Sequence, residues 1–338
     1  MKIGYIGLGR MGKNMVFHLL EQGVEIVAWN RSPKPVEEVV KAGAVATESI
    51  EDLVIKLRKS SSVIPSVSEE SQDLKSRDPS ALPQDDNIII WLMLPAGDIT
   101  DEYIDKLLPL LSKGDLIIDG ANSFYKDTLR RNEKISAKEV HFMDIGTSGG
   151  PNGARIGACL MIGGTEEDFK KVEELCKAAA APGAYQHLGP VGSGHFAKMV
   201  HNAIEYGMME SIGEGLAILK QGPFKYDFVK LLDLYNHRSV VESRLVGWLL
   251  EAFKEDPNLS NISSSIGSGG SGKRIPAEAD WTVEMAQKEM GIDVPAMEAS
   301  IKVRENSSND LEDSPNGFRN KVISAMRGVF GQHDVKKN

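Results

Sequence analysis

The chain has 338 residues, 41% hydrophobic and 26% charged, an ordinary balance for a soluble globular protein with room for two domains. Its net charge of -9 argues against a nucleic-acid partner, and no stretch approaches the ~18 apolar residues of a membrane span. The N-terminus shows no basic, apolar and cleavable leader, and Cys159 and Cys176 have no metal-ligand spacing. A cytoplasmic protein with reduced thiols and no metal is expected.

Short apolar runs alternate with helical patterns through the first half, the signature of a parallel sheet with crossover helices. "KIGYI" (2–6) reads as the first strand, followed by a turn and a helix through Gln22. "VEIVAW" (24–29), "IIIWLML" (88–94), "DLIID" (115–119) and "VHFMDI" (140–145) continue the series. "ACLMIGG" and "AYQHLG" suggest two more strands around the helix "EEDFKKVEELCKAA". Residues 60–87, rich in Ser, Pro, Asp and Glu and without periodicity, read as a disordered insertion. From about Ser193 onward apolar residues recur at helical spacing almost to the end. The expected fold is an N-terminal α/β domain over 1–192 and an all-α domain over 193–338 for substrate binding and oligomerisation.

"GLGRMG" (7–12) stands directly after the first strand and opens a helix. In that context Gly7 permits the tight turn, Gly9 lets a pyrophosphate approach and Gly12 allows close helix–strand packing. Arg10 and Met11 lie within the same turn, whose helix N-terminus favours an anion. The α/β domain is thus a Rossmann-like doubly wound sheet. NAD-specific sites usually carry a carboxylate at the end of the second strand. Here that place reads Asn30, Arg31, Ser32, and Arg31 is suited to a 2'-phosphate. NADP is favoured, with NAD use left open.

In "KMVHNAIEYG" (198–207), Lys198, His201, Asn202 and Glu205 fall at i, i+3, i+4 and i+7, one stripe of a helix. An ammonium, an imidazole, an amide and a carboxylate make an odd stripe, since an ordinary solvated one is mostly Lys, Glu, Gln and Arg. Two further segments belong with it. "DGANSFYKDTLRR" (119–131) follows a strand end, and "GTSGGPNGARIGACLMIGG" (146–164) is dense in glycine.

Together with the dinucleotide fingerprint, these stretches resemble the 6-phosphogluconate dehydrogenase family, in its short form, within the β-hydroxyacid dehydrogenases. The resemblance covers nearly the whole chain apart from 60–87 and the loop around 263–280. It implies that Lys198 and Glu205 are catalytic, and that His201, Asn202 and Tyr206 bind substrate. It also implies that Asn122, Ser148, Gly149 and Gly150 hold the sugar-acid end, with Asn122 bordering the cofactor as well. Arg304 in "IKVRENSS" corresponds to a phosphate-binding arginine, and "MRGVFGQH" keeps an Arg and a His six residues apart, Arg327 and His333. The family's tail crosses to a neighbouring subunit, which implies a homodimer or homotetramer. Two departures stand out: Pro151 and Asn152 occupy usually acidic positions, and Lys273 and Arg274 are displaced from the family's further phosphate cation.

The implied activity is oxidative decarboxylation of 6-phosphogluconate to ribulose 5-phosphate. That chemistry asks for a base at the C3 hydroxyl, which a lysine can be only when neutral, well below its reference pKa of ~10.4. It then asks for an acid to protonate the enediol. Glu205, two helical turns beyond Lys198 and so about 10 Å along the axis, can reach a different carbon. A 3-hydroxyisobutyrate-type dehydrogenase and a catalytically silent NADP-binding module are the alternative readings.

Overall fold

The computed structural model describes residues 1–59, 87–266, 277–333 and 335. The expected insertion, apart from Asn87, and the displaced cations Lys273 and Arg274 lie outside the described residues. Two compact units divide between Lys198 and Met199.

The first unit is built on an eight-stranded sheet of order β3-β2-β1-β4-β5-β6-β7-β8. The strands are β1 (Lys2–Ile6), β2 (Glu25–Trp29), β3 (Val45–Ala46), β4 (Ile89–Leu92), β5 (Leu116–Asp119), β6 (His141–Ser148), β7 (Ala158–Gly163) and β8 (Ala180–Gly189). Alternate side chains go to opposite faces, as strand geometry requires. Ile3 and Tyr5 join a core with Met15 and Leu19 of α1 (Arg10–Glu21), Ala154 of α6 (Gly150–Ile156) and Val172 and Leu175 of α7 (Glu166–Ala179). Ile6, Ile90 and Ile117 join a second core on the other face. It includes Leu53 and Leu57 of α3 (Ile50–Arg58), Ile104 and Leu107 of α4 (Asp98–Leu107), and Ile135 of α5 (Tyr125–Ser136).

Six of the seven pairings are parallel; β6 and β7 are antiparallel. The parallel sheet expected from alternating strands and helices therefore ends in two reversed strands, β7 and its parallel neighbour β8. Its cause is local. The link from β6 to β7 holds only the seven-residue α6, whereas a parallel return needs a crossover of roughly a dozen residues or more. The short strand β3 was not expected, because two residues carry no periodicity. After β1 the chain moves outward through β2 (then α2, Pro33–Lys41) to β3, and from β4 it moves the other way. The crevice between the carboxyl ends of β1 and β4 is the topological switch point, where open α/β sheets bind ligands.

Among its described residues the second unit consists of helices joined by loops. It takes α8 (Ser193–Gln221) from Met199 onward, with α9 (Phe228–Tyr235), α10 (Arg244–Glu255), α11 (Glu278–Glu289), α12 (Pro295–Asn306) and α13 (Pro315–Gly331). Met209, Leu249, Phe253, Phe318, Val322 and Met326 form its main core. Ser243 and Ser314 cap α10 and α13 by accepting from the N–H groups of Val246 and Gly317. Among the described residues no helix is long and apolar enough to cross a membrane.

Candidate active site

The glycine turn behaves as its spacing predicts. Gly7 has φ +101°, and a Cβ there would lie 2.3 Å from the Met93 carbonyl oxygen. A Cβ on Gly12 would lie 2.0 Å from the Gly7 carbonyl oxygen, so helix and strand meet backbone to backbone. Gly9 differs: nothing lies within 4 Å of where its Cβ would be, and it caps α1 without a side chain. This leaves an open approach to the helix N-terminus, which has no acidic residue in its first turn to compete with an anion. The residues present therefore fit a dinucleotide pyrophosphate. Exposed Arg10 and half-buried Met11 border that approach.

Asn30 ties the end of β2 to this turn: the Leu8 N–H donates to its Oδ1 at 2.9 Å, and its Nδ2 donates to the Ser32 carbonyl at 3.0 Å. Arg31 and Ser32 beside it are exposed. The end of β2 thus presents a guanidinium and a hydroxyl, with no carboxylate among residues 30–32.

Two more loops at the carboxyl ends of strands carry sequence-expected residues. After β5, Asn122 accepts from the Thr147 N–H at 3.2 Å, while the Thr147 hydroxyl donates to the Gly120 carbonyl at 3.3 Å. The Asn122 loop is thereby joined to β6, which leads into Ser148, Gly149 and Gly150. Gly149 and Gly150 have φ +116° and +62°, and a Cβ on Gly149 would meet the Gly153 Cα at 3.1 Å. Pro151 sits in the first turn of α6, where a missing N–H costs nothing. The first departure from the family pattern is thus compatible with the same turn.

The start of α8 is docked on β6 and β7 with almost no side chain between. Asp144, 0% exposed, accepts from the Gly192 N–H at 2.6 Å and the His195 N–H at 2.7 Å, satisfying helix N-terminal donors. A Cβ on Gly194 would lie 2.3 Å from the Met161 carbonyl oxygen, and one on Gly146 would lie 2.4 Å from the Lys198 Cβ. Lys198 is therefore seated directly on the Gly146 backbone and is only 5% exposed. Buried His195 pairs through Nδ1 with the Thr128 hydroxyl at 2.7 Å. Sequence reasoning missed Asp144, Gly146 and Thr147, since their roles depend on which strand lies under the helix.

Further along α8, His201 Nδ1 lies 3.0 Å from Asn202 Oδ1 and 3.9 Å from Glu205 Oε2, so three members of the polar stripe are in mutual reach. In the second unit, Tyr206 carries Arg304 on its ring, with Cζ 3.3 Å from the centroid. Arg304 is 5% exposed, its Nη2 meets the Met209 sulfur at 3.4 Å, and its buried Nε has no hydrogen-bond partner. Burial pushes its pKa down to about 10, Tyr206 and Arg327 act on it in opposite senses, and it stays cationic at neutral pH. A desolvated, partly unsatisfied guanidinium is what an anionic ligand would complete. Arg327, half-buried on α13, belongs to the same electrostatic neighbourhood. His333 is exposed and lines a cavity of about 550 Å³ with Glu255 and Asp256. The tail is tied to its own chain there, the Ser263 N–H donating to the Val335 carbonyl at 2.8 Å.

Glu210, one turn past Tyr206, is 7% exposed. Arg319 Nε is 3.4 Å away, but neither carboxylate oxygen makes a hydrogen bond. Burial pushes its pKa from 4.5 up to about 7, against the pull of Arg319; Glu214 adds to the rise and Arg304 opposes it. The folded state thus holds a proton that the unfolded state releases, so stability should fall as pH rises from about 4.5 to 7 and then level. Glu210→Gln should remove that slope. Its melting advantage over wild type should grow between pH 5 and pH 8 by at most about 3 kcal/mol. Parallel melting curves for both proteins across this range would show that the carboxyl titrates normally.

The family model for the NAD binding domain of 6-phosphogluconate dehydrogenase matches residues 2–189, and that for the enzyme's C-terminal domain matches residues 194–227. The Bacillus subtilis protein YqeC is 36% identical over 337 residues, covering 100% of both chains. A Haloferax volcanii protein named an NAD(+)-dependent, decarboxylating 6-phosphogluconate dehydrogenase is 34% identical over 339 residues, covering 100% of this chain and 99% of its own. Among solved structures, Plasmodium falciparum 6-phosphogluconate dehydrogenase, described with NADP+ and with 6-phosphogluconate, superimposes with a TM-score of 0.73 at 28% identity. The match covers 96% of this chain and 70% of that one. The chain belongs to the 6-phosphogluconate dehydrogenase family.

Proposed function

We propose that this family member oxidises 6-phosphogluconate at C3 and releases carbon dioxide to give ribulose 5-phosphate, with NADP as the preferred hydride acceptor. The observation that carries the choice of substrate is Arg304. A buried guanidinium from α12, with an unpaired Nε, stacks on Tyr206, the residue that follows Glu205 on α8. An enzyme for a small unphosphorylated hydroxyacid has no use for a desolvated cation there. This favours a phosphorylated substrate over the 3-hydroxyisobutyrate reading.

The bound nicotinamide supplies the hydride acceptor. Neutral Lys198 takes the C3 hydroxyl proton as the hydride departs, leaving a 3-keto acid. The bond to the carboxylate then breaks, its electron pair moves toward the C3 oxygen, and protonated Lys198 hydrogen-bonds the developing enolate. Glu205 gives its proton to the carbon that lost carbon dioxide, which becomes C1 of ribulose 5-phosphate. Asn122, Ser148, Gly149, Gly150, His201 and Asn202 bind the hydroxyl and carboxylate groups in this reading.

A panel of phosphorylated and free sugar acids, assayed with both dinucleotides and with carbon dioxide release followed, tests the proposal. Higher kcat/KM for 3-hydroxyisobutyrate than for 6-phosphogluconate would overturn the substrate assignment, and no reduction with any acid would favour a silent binding module. The dinucleotide choice has its own test, since the Haloferax relative is named for NAD(+). Arg31→Ala should raise KM for NADP about tenfold or more, the size of a lost charge-assisted contact, and leave KM for NAD nearly unchanged. A wild-type protein that uses NAD with higher efficiency would refute the assignment of Arg31.

A further inference from the structure

One buried guanidinium joins the loops after β4 and β5. Arg131 on α5 is 1% exposed. Its Nη2 donates to the Gly97 carbonyl at 3.0 Å, at the end of the loop that begins with Met93. Its Nη1 donates to the Ser123 hydroxyl at 2.9 Å and to Asp119 Oδ2 at 3.2 Å, in the loop that carries Asn122. Its Nε donates to Asp101 Oδ1 at 2.8 Å, on α4. Asp119 completes the clamp, accepting from the Ala121 N–H at 3.1 Å and the Ser123 hydroxyl at 2.9 Å.

The two loops serve different ligands under the proposed function, on which this inference rests. Met93 abuts Gly7, so the β4–α4 loop is the second wall of the dinucleotide crevice at the switch point. The β5–α5 loop presents Asn122 toward the sugar acid in that reading. A buried ion pair is weak support for stability, because its desolvation offsets most of its attraction. What a guanidinium provides instead is a rigid, planar fork of donors. Here the fork sets the distance between a carbonyl on one loop and a hydroxyl on the other.

We propose that Arg131 is a positioning residue for hydride transfer, holding the dinucleotide loop at Gly97 and the sugar-acid loop at Ser123 in one fixed arrangement. It touches neither ligand. Hydride transfer needs the reacting atoms about 3–3.5 Å apart, and small misplacements are costly in rate. Relaxing the fork therefore spoils the alignment of two ligands that each still bind.

Arg131→Lys tests this while keeping a positive charge between Asp119 and Asp101, although an ammonium cannot span both loops. The full-length variant is compared with wild type on whichever acid of the panel wild type oxidises best, so failure of the substrate assignment shows in wild type alone. The expected result is a fall in kcat of tenfold or more. The Kd for NADPH, read from its fluorescence without any acid present, and the KM for the acid should change less than threefold. The isotope effect from deuterium on the oxidised carbon should rise toward its intrinsic value as chemistry becomes rate-limiting. Ser123→Ala, which cuts one arm only, should show the same split at two- to fivefold. An unchanged kcat per folded molecule in Arg131→Lys would overturn the proposal. So would a loss of activity matched by loss of folded protein, with the isotope effect unaltered.

Discussion

Lys198→Met should abolish hydride transfer, whereas Glu205→Gln should leave the first hydride transfer intact and stall the protonation of the enediol. Methionine matches the bulk of the lysine stem, so the seat on Gly146 is kept and only the ionisable group is lost. Without a base the C3 hydroxyl keeps its proton, and the hydride has no developing carbonyl to leave behind. Glutamine keeps the shape and hydrogen bonding of Glu205 but has no proton to give the enediol. General acid–base groups typically contribute ~10²–10⁴-fold, so both variants should be severely slowed in steady state. They should separate in a single turnover. Glu205→Gln should give a burst of NADPH with ribulose 5-phosphate lagging behind it, and Lys198→Met should give no burst. Identical traces would mean that the two roles are wrongly divided. Both residues lie on α8, and Lys198 sits two turns earlier, against the Gly146 backbone of β6.

What the sequence shows of this site depends on whether a residue acts within one element or across several. The glycine turn and the α8 stripe are local patterns, set by the period of one helix or the tightness of one turn, and they read directly. The exposed position of Arg31 was legible for the same reason, standing next to the end of β2. Asp144 was not: it looks like one polar residue in an apolar strand, and its role appears only when Gly192 and His195 of another element bring it their N–H groups. Arg131 lay in plain view in "DTLRR", yet nothing in that run says that Gly97, more than thirty positions away, is its acceptor. The antiparallel β7 was hidden for a related reason. Strand direction is decided by the length of the connection, and α6 is too short to announce itself as a turn rather than a crossover. The burial of Arg304 was not legible in the sequence, because arginine is mostly exposed, whereas here Tyr206 and Met209 enclose it.

A single methyl group at Gly146 should be nearly as damaging as loss of a catalytic residue. The Cβ of Gly146→Ala would fall 2.4 Å from the Lys198 Cβ and 3.0 Å from both the Lys198 Cγ and the Gly194 carbonyl oxygen. These are atoms at the root of a side chain and in the backbone, so no rotamer change relieves the contact. The start of α8 must move off β6, and it is held there by the Asp144 hydrogen bonds to Gly192 and His195. Overpacking of this kind typically costs about 1–3 kcal/mol of stability, which a domain with two sheet-face cores can absorb. The reaction is less forgiving. A displacement on the order of 1 Å at a catalytic group lowers rates by ~10²-fold, so kcat should fall by about that factor in a protein that still folds and still binds NADPH. Gly215→Ala on the same helix is the control, since nothing lies within 4 Å of its new Cβ. It should leave kcat unchanged and raise stability by roughly 0.5–1 kcal/mol through helix propensity alone. Equal kcat in Gly146→Ala and wild type would show that the lysine does not depend on its seat against β6.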